Sequence, residues 1–167
     1  MFSIEINQDQ PVSDFYHELN QLAEGLLSAE ADPIAGMANL SSFLFQVLPD
    51  INWAGFYLVK GGEQLVLGPF HGQPACTRIP LGRGVCGTAA SENKIQRIAD
   101  VDAFSGHIAC DAASQSEIVL PLVCGEQVVA VLDIDSPIKN RFTEGDEAGL
   151  CRLVELIQDN LHLSKLY

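Results

Sequence analysis

Residues 117–135 read EIVLPLVCGEQVVAVLDID, two runs dominated by Val, Leu and Ile on either side of Gly125-Glu126-Gln127. Branched aliphatic side chains suit a pleated, buried surface, and a glycine between two such runs supplies the positive φ of a tight turn. The spacing predicts a hairpin of central strands over 117–124 and 128–135. A second hairpin is predicted upstream, where β-rich runs over 51–60 and 64–70 flank Gly61-Gly62.

Helical periodicity brackets these strands. Phe15, Leu19, Leu22 and Leu26 recur at three- and four-residue steps over 13–28, with Ser13 as the expected N-cap. After Pro33, the residues Ile34, Met37, Leu40, Phe43, Leu44 and Val47 form one apolar face that ends before Pro49. At the other end Thr143 is a capping residue followed by Asp146 and Glu147, then Leu150, Leu153, Val154, Leu156, Ile157 and Leu161 at helical spacing. Helices at both ends of hairpin-connected strands imply an α+β fold, an antiparallel sheet with the terminal helices on one face. The long glycine-rich middle, without obvious secondary structure, then lies over the other face. Ordered loops of that length usually carry function.

At 167 residues and 47% hydrophobic composition, one compact domain over 1–167 is expected, with a core that needs no staples. Nine basic residues against 22 acidic ones give a net charge of −13, a field that repels nucleic acid and anionic membrane surfaces. The start, MFSIEINQDQPVSD, lacks a basic segment followed by an apolar run, and the longest apolar stretch, Ile118 to Cys124, contains Pro121. A cytoplasmic protein without a membrane span is expected.

Along 53–58 the strand alternation puts Trp53, Gly55 and Tyr57 on one face and Ala54, Phe56 and Leu58 on the other. Two rings flanking a glycine leave a slot for a small apolar group, or are ordinary core residues. Asp133 and Asp135 also share a face, where two buried like charges need an ammonium group, a metal ion or a basic side chain beside them. Alternatively the strand ends by Asp133 and both aspartates cap a turn. Glu117, opening the neighbouring strand, can project into the same pocket and, if desolvated, hold a proton to donate.

Cys76, Cys86 and Cys110 fall within one stretch of a core-rich chain, a pattern for thiol redox chemistry rather than for structural disulfides. Only His107 and Cys110 show short ligand-like spacing and there is no CxxC pair, which argues against zinc. Cys86 precedes Gly-Thr-Ala-Ala, where a helix N-terminus would lower its pKa, and Cys110 has His107 nearby. The residues alone do not rank these two. Cys124 and Cys151 are expected in the core. The segment LGRGVCG at 81–87 matches neither a P-loop nor a dinucleotide fingerprint.

Four blocks, NWAGFYL at 52–58, LGPFHGQPACTRIPLGRGVCGTAA at 67–90, GHIACDAASQSEIVLPL at 106–122 and VLDIDSP at 131–137, resemble the free methionine-(R)-sulfoxide reductases, small proteins with the GAF fold. The resemblance implies reduction of free methionine (R)-sulfoxide by thiol chemistry, with Cys110 attacking, Cys76 resolving and Cys86 an alternative or relay thiol. It implies that Trp53 and Tyr57 hold the methyl end of the substrate, Asp133 and Asp135 its ammonium, and Glu117 the sulfoxide oxygen. It further implies a homodimer, recycling by thioredoxin, and no metal or organic cofactor. Because fold does not dictate function, a GAF-type ligand sensor and a thiol redox switch are the competing expectations.

Overall fold

The computed structural model describes residues 4–166. Helix α1 spans Val12–Ser28, α2 Pro33–Val47, and the strands β1 (Trp53–Lys60) and β2 (Gln64–Gly72) follow. After them come β3 (Arg78–Pro80), α3 (Gly84–Glu92), β4 (Gln96–Ile98), β5 (Ser116–Cys124), β6 (Gln127–Ser136) and α4 (Glu144–Asn160). The six strands form one antiparallel sheet in the order β3-β2-β1-β6-β5-β4. Both predicted hairpins are present. Gly61 and Gly62 turn the first with φ of 63° and 70°, and Gly125 turns the second with φ of 64°.

The helix boundaries follow local chemistry. The Asp32 side chain accepts the backbone N–H groups of Ile34 and Ala35, and Pro33 takes the first helical position, where its missing N–H costs nothing. Ser13 is not the cap of α1. Pro11, held extended at φ −54° and ψ 144°, caps that helix two residues before Ser13, which places Ser13 inside the first turn.

Alternation along the strands makes two cores. Ala54, Phe56 and Leu58 join Ile118, Leu120, Leu132 and Ile134 against α1, α2 and α4. Trp53, Tyr57, Val119 and Val131 face the opposite side with Ile79, Val85, Cys86 and Ala89. The second face differs from the expectation of loops alone, because β3, α3 and β4 lie within the supposedly structureless middle. Three-residue strands carry no period, and α3, GVCGTAASE, is built from small residues with little amphipathic contrast. Those small residues have a packing purpose: a Cβ on Gly87 would lie 2.4 Å from the Pro80 carbonyl oxygen. No helix among the described residues is long and apolar enough to cross a membrane.

Asp146 ties three elements together. It completes a capping box with Thr143, accepts the Tyr16 hydroxyl of α1 at 2.8 Å, and pairs with Arg141 at 3.2 Å. Burial alone would raise its pKa, yet the Thr143 backbone bond, the Tyr16 and Thr143 hydroxyls and the Arg141 charge outweigh it and hold the carboxyl below its ordinary value. Since the folded pKa lies below the unfolded one, this contribution is complete above the unfolded value and is lost as pH falls through the folded one. Asp146→Ala strands the buried Tyr16 and Arg141 groups and should cost about 2–4 kcal/mol in urea unfolding. A loss below about 0.5 kcal/mol would show that this network is a surface ornament.

Candidate active site

The sheet register assembles the acidic cluster. Glu117 pairs with Asp135 across β5 and β6, while Gly55 and Trp53 of β1 pair with Asp133 and Asp135 from the other side. Strand β6 continues to Ser136, so both aspartates stand on a strand face and the turn-capping alternative falls. Glu117 and Asp133 are each only 5% exposed. The pocket above them is lined by Trp53, Tyr57, Cys86, His107, Cys110, Asp111 and Ser114, with no Lys or Arg among the described lining residues. Among the described lining residues neither Lys nor Arg compensates the carboxylates, and His107 is the basic side chain beside them.

Three carboxyls so placed cannot all be ionised. Burial first, then the charges of Asp133 and Asp135, push Glu117 well above the usual carboxylate range, and burial followed by the Asp133 charge raises Asp135, against hydrogen bonds from Glu117 and Ser114. Burial also lifts Asp133 to about 6, where hydrogen bonds from Cys86 and Glu117 restrain the rise. The three carboxyls titrate as one coupled cluster, and burial together with their mutual repulsion favours retention of protons within it. The Cys86 thiol donates to Asp133 Oδ2 at 3.2 Å, and Asp133 Oδ1 is buried without any hydrogen-bond partner. His107 Nε2 lies 3.6 Å from Glu117 Oε1, and burial lowers the pKa of this imidazole against the charge of Asp102.

Cys86 occupies the first turn of α3, but the expected drop in its pKa is overturned. Complete burial, followed by the charges of Asp133 and Glu117, raises the thiol well above its ordinary value, and these outweigh the helix N-terminus. The slot over Gly55 is also corrected. A Cβ there would lie 2.3 Å from Phe70 Cβ and 2.7 Å from the Trp53 ring, so the gap is filled by this chain's own aromatics. Trp53 stacks between Tyr57 and Phe70, with centroids 5.9 Å and 5.3 Å away, and its ring and that of Tyr57 wall the pocket.

Strand β1 also anchors the two loops that cover the pocket. Trp53 Nε1 donates to the Gln73 carbonyl at 3.1 Å and the Tyr57 hydroxyl to the Cys76 carbonyl at 2.9 Å, which fixes the first loop. Asn52 Nδ2 donates to Asp111 Oδ2 at 3.0 Å and Ser114 Oγ at 3.1 Å, which fixes the second. The loops meet in a disulfide between Cys76 and Cys110, 34 residues apart in sequence. Cys86 stays outside that bond, and Cys110 and Cys86 line the same cavity of about 40 Å³. Cys124 and Cys151, half-buried, pack against the helical-face core as expected. Asn52, Asp111, Ser114 and His107 as a neighbour of Glu117 were missed from sequence. The signal for Asn52 was its position one residue before Trp53 in the first recognisable block.

The model of the GAF domain matches residues 29–160. A free methionine-R-sulfoxide reductase of Escherichia coli is 56% identical over 146 residues, covering 87% of this chain and 88% of the relative. One from Saccharomyces cerevisiae is 40% identical and covers 80% of this chain and 78% of its own. The solved structure of the free methionine-R-sulfoxide reductase from Neisseria meningitidis, in complex with its substrate, superposes with a TM-score of 0.92 at 37% identity, over 99% of this chain and 98% of that one. A buried acidic cluster beside a Cys76–Cys110 disulfide, on a GAF sheet with relatives of this similarity, places the chain in the free methionine-R-sulfoxide reductase family.

Proposed function

We propose that the protein reduces free L-methionine (R)-S-oxide to L-methionine. The observation that carries this is the uncompensated carboxylate cluster next to the cysteine disulfide: a seat for an ammonium group within reach of redox-active sulfur. Asp133 and Asp135 hold the substrate ammonium, Asp133 Oδ1 being a buried acceptor with no partner of its own. Trp53 and Tyr57 hold the methyl end, and Glu117 faces the sulfoxide oxygen.

The Cys110 thiolate attacks the sulfoxide sulfur while Glu117 gives a proton to the oxygen. The sulfur–oxygen bond breaks as the protonated oxygen passes to Cys110 Sγ, and the bond between Cys110 and the substrate sulfur breaks with its electron pair left on that sulfur, so methionine leaves reduced by two electrons and Cys110 becomes a sulfenic acid. The Cys76 thiol then displaces that oxygen as water, forming the disulfide, with Cys86 as an alternative resolving thiol. An external dithiol, thioredoxin in this proposal, returns two electrons through a mixed disulfide. The working form is a cytoplasmic homodimer.

The test is methionine release from each separated free sulfoxide diastereomer and from a sulfoxide-containing peptide, with a dithiol present. Methionine from the free R form alone is expected; release from the peptide would remove the ammonium seat from the account, and release from none would leave a ligand sensor. Asp133→Ala should raise KM about 10–100-fold, the equivalent of one lost charge-assisted hydrogen bond of about 1.5–3 kcal/mol. An unchanged KM would mean that the ammonium sits elsewhere.

A further inference from the structure

We propose that Asn52 is a positioning residue that holds the Cys110 loop over the pocket once the Cys76–Cys110 disulfide has been reduced. Asn52 stands one residue before β1, and its backbone N–H donates to the Asp135 carbonyl of β6 at 2.9 Å, so its side chain rises from the sheet. That side chain directs its amide hydrogens at the covering loop, to Asp111 Oδ2 at 3.0 Å and to Ser114 Oγ at 3.1 Å. Asp111 directly follows Cys110 in the chain. Its other carboxylate oxygen accepts the Ala113 N–H at 2.8 Å, so the carboxylate closes a turn just beyond the cysteine while Asn52 pins that turn to the sheet.

The amide can face only one way. Exchanging its oxygen and nitrogen would set an acceptor against the Asp111 carboxylate, so the donors point at the loop. In that orientation Asn52 Oδ1 is buried with no hydrogen-bond partner. A buried acceptor left unsatisfied is costly, and an apolar residue would avoid it; the side chain is retained for its two donors. Ser114 in turn hydrogen-bonds to Asp135, so a continuous chain runs from Asp111 through Asn52 and Ser114 to the carboxyl cluster. In the oxidised protein the disulfide also holds the loop. After reduction, the polar ties left between residues 105–114 and the sheet, among the described residues, are the Asn52 bonds, the Ser114 bond to Asp135 and the 3.6 Å approach of His107 to Glu117. Asn52 does not line the pocket, so it acts on Cys110 through the loop and not on the substrate. Its effect on attack rests on the function proposed above; the tie between loop and sheet does not.

The experiment compares two variants of the full chain. Asn52→Asp keeps the size of the side chain and replaces its donors by an acceptor facing Asp111, and Asn52→Ala removes the group. In glutathione buffers, with the Cys76–Cys110 bond quantified by peptide mapping, the equilibrium constant for that disulfide should fall about tenfold in both, a rise in reduction potential of about 30 mV, because a loosened loop brings the two sulfurs together less often. In single turnover of free methionine (R)-sulfoxide by the reduced protein, the saturated rate should fall about 10–100-fold, the cost of a small misplacement of a reacting group, while the substrate concentration giving half that rate stays as in the wild type. Circular dichroism checks the fold, and should Asn52→Ala fail to fold, Asn52→Asp and Ser114→Ala decide. An unmoved disulfide equilibrium or an unmoved first-turnover rate in the folded variants overturns the proposal. So does an Asn52→Asp protein that behaves as the wild type while Asn52→Ala does not, since bulk rather than the donors would then matter. The two proposals fail separately: normal methionine release with no effect of either variant removes the positioning role alone, and a shifted disulfide equilibrium in a protein that releases no methionine removes the reductase alone.

Discussion

Cys110→Ser is expected to release no methionine above background, whereas Cys76→Ser should release about one methionine per active site and then stall. The disulfide joins both sulfurs symmetrically and so does not reveal which one attacked. Their surroundings differ. Cys110 lines the cavity with the carboxyl groups, whereas Cys76, on a loop held by the Tyr57 hydroxyl, is not among the lining residues. Removing the attacker eliminates the only step that breaks the sulfur–oxygen bond, so the loss is complete rather than partial. Removing the resolver leaves that first step intact. Rapid-quench counting of methionine against enzyme, with no added reductant, separates the two. A stoichiometric burst from Cys110→Ser, with none from Cys76→Ser, would reverse the assignment. Sustained turnover by Cys76→Ser would instead show that Cys86, buried in the same pocket, resolves efficiently.

Glu117→Gln should lower kcat about 10²–10⁴-fold with a much smaller change in KM, the usual size of general-acid assistance. Glutamine keeps the shape and the hydrogen-bonding reach of the side chain but has no proton to give at neutral pH. The wild-type carboxyl does, because burial and the Asp133 and Asp135 charges favour its neutral form. The substitution also removes one member of a crowded acidic cluster, so the fold should survive, and circular dichroism checks that. An unaltered kcat would transfer the proton donation to Asp135, whose pKa burial also raises.

Periodicity was sufficient for the parts of the fold that repeat. Strands β5 and β6 show as unbroken aliphatic runs because both sides of them are buried, and α4 shows because Thr143 and Asp146 leave a cap signature ahead of an apolar stripe. Residues 75–115 were illegible for the opposite reason. Elements of three residues hold too few positions to display a period, and α3 packs by being small, with Gly87 pressed against Pro80.

The site divides along the same line. That Asp133 and Asp135 share a face, and that Trp53 and Tyr57 share another strand's face, follows from the two-residue period of a strand and was readable in the chain. Which strand neighbours which was not. The register that sets Glu117 against Asp135, the α3 turn that lowers Cys86 onto Asp133, and the filling of the Gly55 gap by Phe70 depend on contacts between residues 15–47 positions apart. Sequence by itself determined the chemical inventory, three thiols and three carboxyls, and the face each carboxyl would take. Only the tertiary structure decided their ionisation and their partners, because proton affinity is set by burial and by the nearest charges, and both are properties of packing.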